Sequence, residues 1–198
     1  MIRVALALFA LLLAGCSTTQ VQLPYAPTAA VSPVGAPSAG IAEVVDQRGE
    51  GADWLGAIRG GYGNPVKTLR TDRPVRDVVH QALRDALAAR GLLAPAGSQR
   101  YDLRLIVHRL STSRLVRLEA DADFELQVLE RGSGRAVYTD RVRVRQVEGG
   151  LIAFDTGIFA SVEELRALAN RTQNEALDQL LGKPGFLAAV RAAGAPRV

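Results

Sequence analysis

"ADADFELQVLERGSGRAVYTDRVRVRQV", residues 120–147, alternates apolar and polar side chains, breaks at a serine between two glycines, and alternates again. A period of two on both sides of a glycine-rich break is the pattern of a β-hairpin. On the first arm Ala120, Ala122, Phe124, Leu126 and Val128 share the apolar face. A three-residue loop, Gly132-Ser133-Gly134, places Arg131 opposite Arg135. Glu125 then faces Arg141, Asp123 faces Arg143 and Asp121 faces Arg145. Three opposite-charge pairs fall on the solvent face in one register, each contributing a few tenths of a kcal/mol. A one-residue slip turns one arm's charges toward the core. The Arg141, Arg143, Arg145 stripe, which alone suggests an anionic ligand, therefore reads as a lock on the register. The same register points Asp140 inward beside Leu126, which only a bulge would relieve.

Upstream, "YDLRLIV" alternates in the same way, with Tyr101, Leu103, Leu105 and Val107 on one side. Before it, "TDRPVRDVVHQALRDALAARG" changes period. Val75, Val78, Val79, Ala82, Leu83, Ala86 and Leu87 line one helical face, with Thr71 or Asp72 as cap, Pro74 in the first turn and Gly91 as the stop. Downstream, "SVEELRALANRTQNEALDQLLGKPG" predicts a second helix, opened by a capping box of Ser161 with Glu164 and closed by Gly182 and Pro184. "GFLAAVRAAG" adds a short amphipathic stretch. "IAEVVDQR", "DWLGAIRGG" and "PVKTLRT" read as further strands. The fold class predicted is α+β: a single domain, with a twisted, mostly antiparallel sheet and two main helices packed on one face. A strand–helix–strand step over residues 66–107 crosses right-handed if its strands are parallel.

Between two of those strands lies "GGYGNPVKT", which ends in Lys-Thr like a phosphate loop. Val66 stands where such a loop needs glycine, and Pro65 removes a backbone donor. The stretch is better read as a hairpin tip, with an exposed Tyr62 as a candidate partner contact.

The N-terminus supplies an address. "MIRVALALFALLLAGC" has one early arginine, an apolar run too short to span a bilayer, and small residues before the chain's single cysteine. The "LAGC" ending resembles the lipobox of bacterial lipoproteins, which implies cleavage before Cys16 and acylation of its thiol. Several acyl chains, at about 0.8 kcal/mol per buried CH₂, make a stable anchor. Ser17 follows, rather than the Asp that resembles the inner-membrane retention signal, so the expected location is the periplasmic face of a Gram-negative outer membrane. Residues 17–40 are uncharged and rich in Pro, Ala, Ser and Thr, and read as an extended, mostly disordered tether. The domain plan is a signal peptide at 1–15, lipidated Cys16 and tether at 16–40, and an α+β periplasmic domain at 41–198.

The segments "VRDVVHQALRDALAARGLL", "YDLRLIVHRLS" and "ADADFELQVLE", and a strand ending "VEGG", together with the lipobox, resemble the YajG-type family of proteobacterial lipoproteins. The resemblance covers residues 41–182 and rests on core positions. It implies an outer-membrane-anchored, periplasm-facing domain without catalytic residues to carry over. The chain departs from the pattern in "LIAFDTGIFA", residues 151–160, which is longer and more apolar.

Other chemistry is weakly signalled. A net charge of +4 without a Lys/Arg block, and aromatics at 5%, argue against a nucleic-acid surface. His80 falls on a polar helix face and His108 at a strand end, neither in a hydrolase or zinc motif. No metal or cofactor is implied. In residues 151–160, Leu151, Ile152, Phe154, Ile158 and Phe159 form either a buried strand or loop beneath the second helix, or an exposed contact patch for an envelope protein. The function expected is a non-catalytic envelope lipoprotein with a binding or accessory role in assembly, transport or cell-wall association. The alternative is a periplasmic enzyme with an unrecognised site. Nothing in the sequence sets the oligomeric state.

Overall fold

The hairpin register read from the charges is the one the chain adopts: Glu125 faces Arg141, Asp123 faces Arg143 and Asp121 faces Arg145. The computed structural model describes residues 17–149 and 161–191. Its centre is three long antiparallel strands, β5 (Tyr101–Arg114), β6 (Leu118–Glu130) and β7 (Ala136–Glu148). The turn itself differs from expectation. Glu130 N–H donates to the Arg135 carbonyl, while Arg131 N–H goes to Arg100. The turn is thus one residue longer than a three-residue loop, with Gly132 and Gly134 at φ 94° and 67°. A bulge between Val128 and Leu129 absorbs the extra residue and restores the register.

The other edge of β5 is shared. β2 (Ala39–Asp46) runs parallel to its first half, and β3 (Trp54–Arg59) parallel to its last three residues. β4 (Pro65–Thr71) is antiparallel to β3, and β1 (Ser17–Val21) is parallel to β4 at the edge. The seven strands make one mixed sheet, with more parallel pairing than the hairpin pattern suggested. β3 lies between β4 and β5, and β4 runs antiparallel to β5, so the handedness rule for parallel strands does not bear on the helix joining them.

Where β2 leaves β5 and β3 takes over, backbone carbonyls would be stranded. Arg48 fills the gap. Its guanidinium donates to Leu110 at 3.2 Å and Trp54 at 2.7 Å, and grips Asp46 through Nε and Nη2 at 2.9 Å each. Its side chain is only 2% exposed.

Helix α1 (Val75–Ala89) buries all seven positions predicted from its period. Gly91, at φ 67°, ends it: Leu92 N–H reaches the Leu87 carbonyl and Gly91 N–H that of Ala88. The expected cap at Thr71 or Asp72 does not form. Pro74 holds the cap position without a side-chain bond, and the first helical N–H, on Val75, goes to the Ala52 carbonyl. The Thr71 hydroxyl bonds the carbonyls of Arg73 and Asp53 instead. Helix α2 (Val162–Gly182) starts from Ser161, whose Oγ accepts from Glu163 N–H. Glu164 does not close the capping box, because it pairs with Arg114 across on β5. Helix α3 (Pro184–Arg191) follows at once and buries Phe186 and Val190. The helices join the apolar sheet residues in one core, which makes the α+β domain expected.

Residues 17–40 do not form a tether. β1 pairs with β4 over five positions. Val21 and Leu23 are buried, and the chain then straps across the helices to reach β2. Gln173 donates to the Leu23 carbonyl, Arg191 to that of Val34, and Val34 N–H to the Arg90 carbonyl. The segment has no period of its own because side chains and carbonyls elsewhere in the chain satisfy its backbone.

Candidate functional site

The helices cover one face of the sheet, and charged side chains crowd the other. Asp123, with its side chain 3% exposed, lies between two arginines. Arg141 bonds it through Nε at 2.5 Å and Nη2 at 2.9 Å, and Arg143 through Nε at 2.8 Å and Nη2 at 2.6 Å. Arg145 reaches Glu119 at 2.8 Å. Arg141 and Arg145 thus pair diagonally, two residues along from the carboxylates they face, which long side chains can span. Glu125 instead takes the His108 ring at 3.1 Å and Gln127 at 2.9 Å. His108 sits at the β-bulge between Val107 and Arg109.

Arg141, and then Arg143, hold the Asp123 carboxyl below the usual carboxylate range despite its burial. Gln127 and then His108 lower Glu125 in the same direction. Carboxylates already held ionised by several donors are poor proton acceptors. The face is built for fixed charge rather than proton transfer. The inward Asp140 also has its partners: Lys183, which follows α2, at 2.7 Å, and the Tyr138 hydroxyl at 2.8 Å. Lys183 foremost lowers the Asp140 pKa. Burial first, and Asp140 second, push Tyr138 up to about 12.

A cleft of about 390 Å³ beside α1 is lined by Gly40, Ile41, His80, Arg84, Leu93 and Gln99, among others. It offers His80 no carboxylate and no serine. Among the described residues no group of three His, Cys, Asp or Glu is placed to hold a metal. No helix among them is long and apolar enough to cross a membrane.

Of the predicted contact residues, Tyr62 is fully exposed at the β3–β4 tip, where Gly63 takes φ 80°. Cys16, Leu151, Ile152, Phe154, Ile158 and Phe159 lie outside the described residues. Sequence reading missed a second apolar tip, Leu115 and Val116 between β5 and β6, which are 49% and 60% exposed. The expected strand stopped near Val107, so "RLVR" was not recognised as a turn between long strands. The two tips share one end of the sheet. Ser17 pairs with Lys67, Lys67 with Ile58, Ile58 with Arg114, and Arg114 with Leu118.

The chain is therefore an α+β domain whose sheet is covered by helices on one face and charged on the other. No protein-family model and no curated protein matches it. Solved structures share the fold. A Xanthomonas campestris protein of the DUF330 family is 16% identical, with a TM-score of 0.60 over 83% of this chain and 95% of that one. A second structure, of an uncharacterised protein, is 9% identical, with a TM-score of 0.55 over 83% and 96%.

Proposed function

We propose that the mature chain is a lipid-anchored protein on the periplasmic face of a bacterial outer membrane, acting by binding as an accessory of envelope assembly, transport or cell-wall association. The observation that carries this is "LAGC", which ends at the chain's single cysteine immediately before the domain's first strand. The resemblance to YajG-type lipoproteins agrees with it. The binding role is supported by a charged sheet face whose carboxylates are saturated with donors, and by a cleft beside α1 that offers His80 no acid–base partner.

The test is expression of the full chain and of Cys16→Ala in a Gram-negative host. The wild type is expected in the outer-membrane fraction, with acyl chains visible by mass spectrometry on its N-terminal peptide. The variant is expected to lose acylation and leave that fraction. An unacylated wild-type Cys16 contradicts the anchor. Crosslinking in intact cells tests the accessory role, and absence of any reproducible envelope partner counts against it.

A further inference from the structure

The end of the sheet at which β1 begins carries more than the start of the domain. One peptide bond joins Cys16 to Ser17, and Ser17 is already paired with Lys67 on β4. An anchor at Cys16 therefore has no spacer, since one residue spans about 3.8 Å. Whatever projects from this end meets the surface that holds the acyl chains.

Two hairpin tips project there. Tyr62 lies four residues beyond Ile58, which is level with Ser17 through Lys67. At about 3.3 Å per residue the tip stands at most about 13 Å past that level. Leu115 and Val116 follow Arg114, which is level with Ile58. All three apolar side chains are exposed, and Val147 near the end of β7 is exposed too. Among the described residues only Val137, of the exposed large hydrophobics, belongs to the opposite end. Arg59 and Arg117 flank the tips, and neither has an ion pair among the described residues. An apolar tip with a tyrosine and flanking arginines suits the boundary between headgroups and acyl chains, where contacts reach about 5–10 Å deep.

We infer that this end is a second membrane contact: Tyr62, Leu115 and Val116 enter the headgroup layer of an anionic phospholipid bilayer while Arg59 and Arg117 meet its phosphates. The inference rests on the lipid-anchored reading for its orientation, and it fixes the domain with its helix–sheet layers upright on the bilayer rather than swinging from a tether.

The test needs no anchor. The described residues, from Val21 on β1 to Val190 on α3, share one core, so a chain beginning at Ser17 is mixed with vesicles of phosphatidylethanolamine and phosphatidylglycerol and floated on a density gradient. The expected result is measurable partitioning at millimolar lipid. It should fall about tenfold in the triple variant Tyr62→Ser, Leu115→Ser, Val116→Ser, as three apolar side chains leave the interface. It should also weaken on phosphatidylcholine alone, and be unchanged by Val137→Ser at the other end. Unchanged thermal unfolding of the triple variant shows that its loss is one of contact. No binding by the wild type, equal binding by the triple variant, or an equal loss in Val137→Ser overturns the inference. Each of those outcomes leaves the acylation of Cys16 untouched.

Discussion

Asp178 on α2 accepts the Arg90 guanidinium at 2.7 Å, at the end of α1. The same carboxylate takes the Tyr25 hydroxyl, and the Thr28 N–H and hydroxyl, each at 2.7 Å. One part-buried acid therefore joins both long helices to the strap over residues 22–38. Arg90 and Asp178 side chains are 7% and 13% exposed. Removing one partner of such a pair leaves a buried charge alone, which costs about 3–5 kcal/mol. Asp178→Ala and Arg90→Ala are each expected to lower stability by about that amount in urea unfolding. A chain beginning at Ala29, without β1, Leu23, Tyr25 and Thr28, is expected to lose at least as much. A free tether predicts no change on that truncation, so the melt decides between the two readings.

Acid should find the same network. Burial works to raise the Asp178 carboxyl, but the Thr28 N–H, the Tyr25 and Thr28 hydroxyls and Arg90 outweigh it and hold the pKa low. Burial likewise opposes Arg48 at Asp46, and Arg48 prevails. Asp123 and Asp140 are lowered as well. A carboxyl whose folded pKa is depressed contributes stability that is present above its unfolded value, about 3.9, and is lost as pH falls through the folded one. Stability is expected to be flat from about pH 7 to 5 and to drop below about pH 4. Asp178→Asn should make that drop shallower, as followed by circular dichroism across a pH series.

Alkali should find Tyr138. Its pKa of about 12 in the folded protein lies above the ordinary value of about 10. The sign is opposite to that of the aspartates: stability is fully present below about pH 10 and is lost as pH rises toward the folded value. Tyr25 is raised in the same direction, by burial first and then by Asp178. Phenolate absorbance should therefore show a late phase that Tyr138→Phe reduces, together with its share of the alkaline loss, without removing Tyr25's part. A Tyr138 that titrated at the ordinary value of about 10 would contradict the burial and the Asp140 bond that raise it.

Local period made part of this molecule legible. The apolar positions of α1, the alternation along β5 to β7 and the hairpin register follow from side chains a few residues apart. What stayed hidden depends on partners far along the chain. The strap's neighbours, Arg90, Gln173 and Asp178, lie about the helices, and nothing in "STTQVQLPYAPTAAV" announces them. Arg48 gives no local sign that it closes a gap between two strands sharing one edge of β5. The diagonal drift of Arg141 and Arg145 was equally invisible, because facing positions fix a register but not the reach of a long side chain. Tyr62 was legible as a tip from its glycines, whereas Leu115 and Val116 lie in a turn without glycine or proline.

Gly56 gives the sharpest test of the handover on β5. It pairs with Thr112 where β3 joins β5, and a Cβ built there would sit 1.8 Å from the Thr112 carbonyl oxygen. The obstacle is backbone, so no rotamer change relieves it. Only separation of the strands would, and that would also pull Trp54 and Leu110 from Arg48. Overpacking a well-packed core commonly costs about 1–3 kcal/mol. Gly56→Ala is expected to exceed that range, leaving little folded protein in the soluble fraction, whereas Gly61→Ala, with nothing within 4 Å, should be neutral. Double substitution with Thr112→Ala should not rescue it, because the clash is with the carbonyl. Soluble yield and urea midpoints of the three variants check this, and a stable Gly56→Ala protein would mean that β3 does not approach β5 as closely as the Gly56–Thr112 pairing requires.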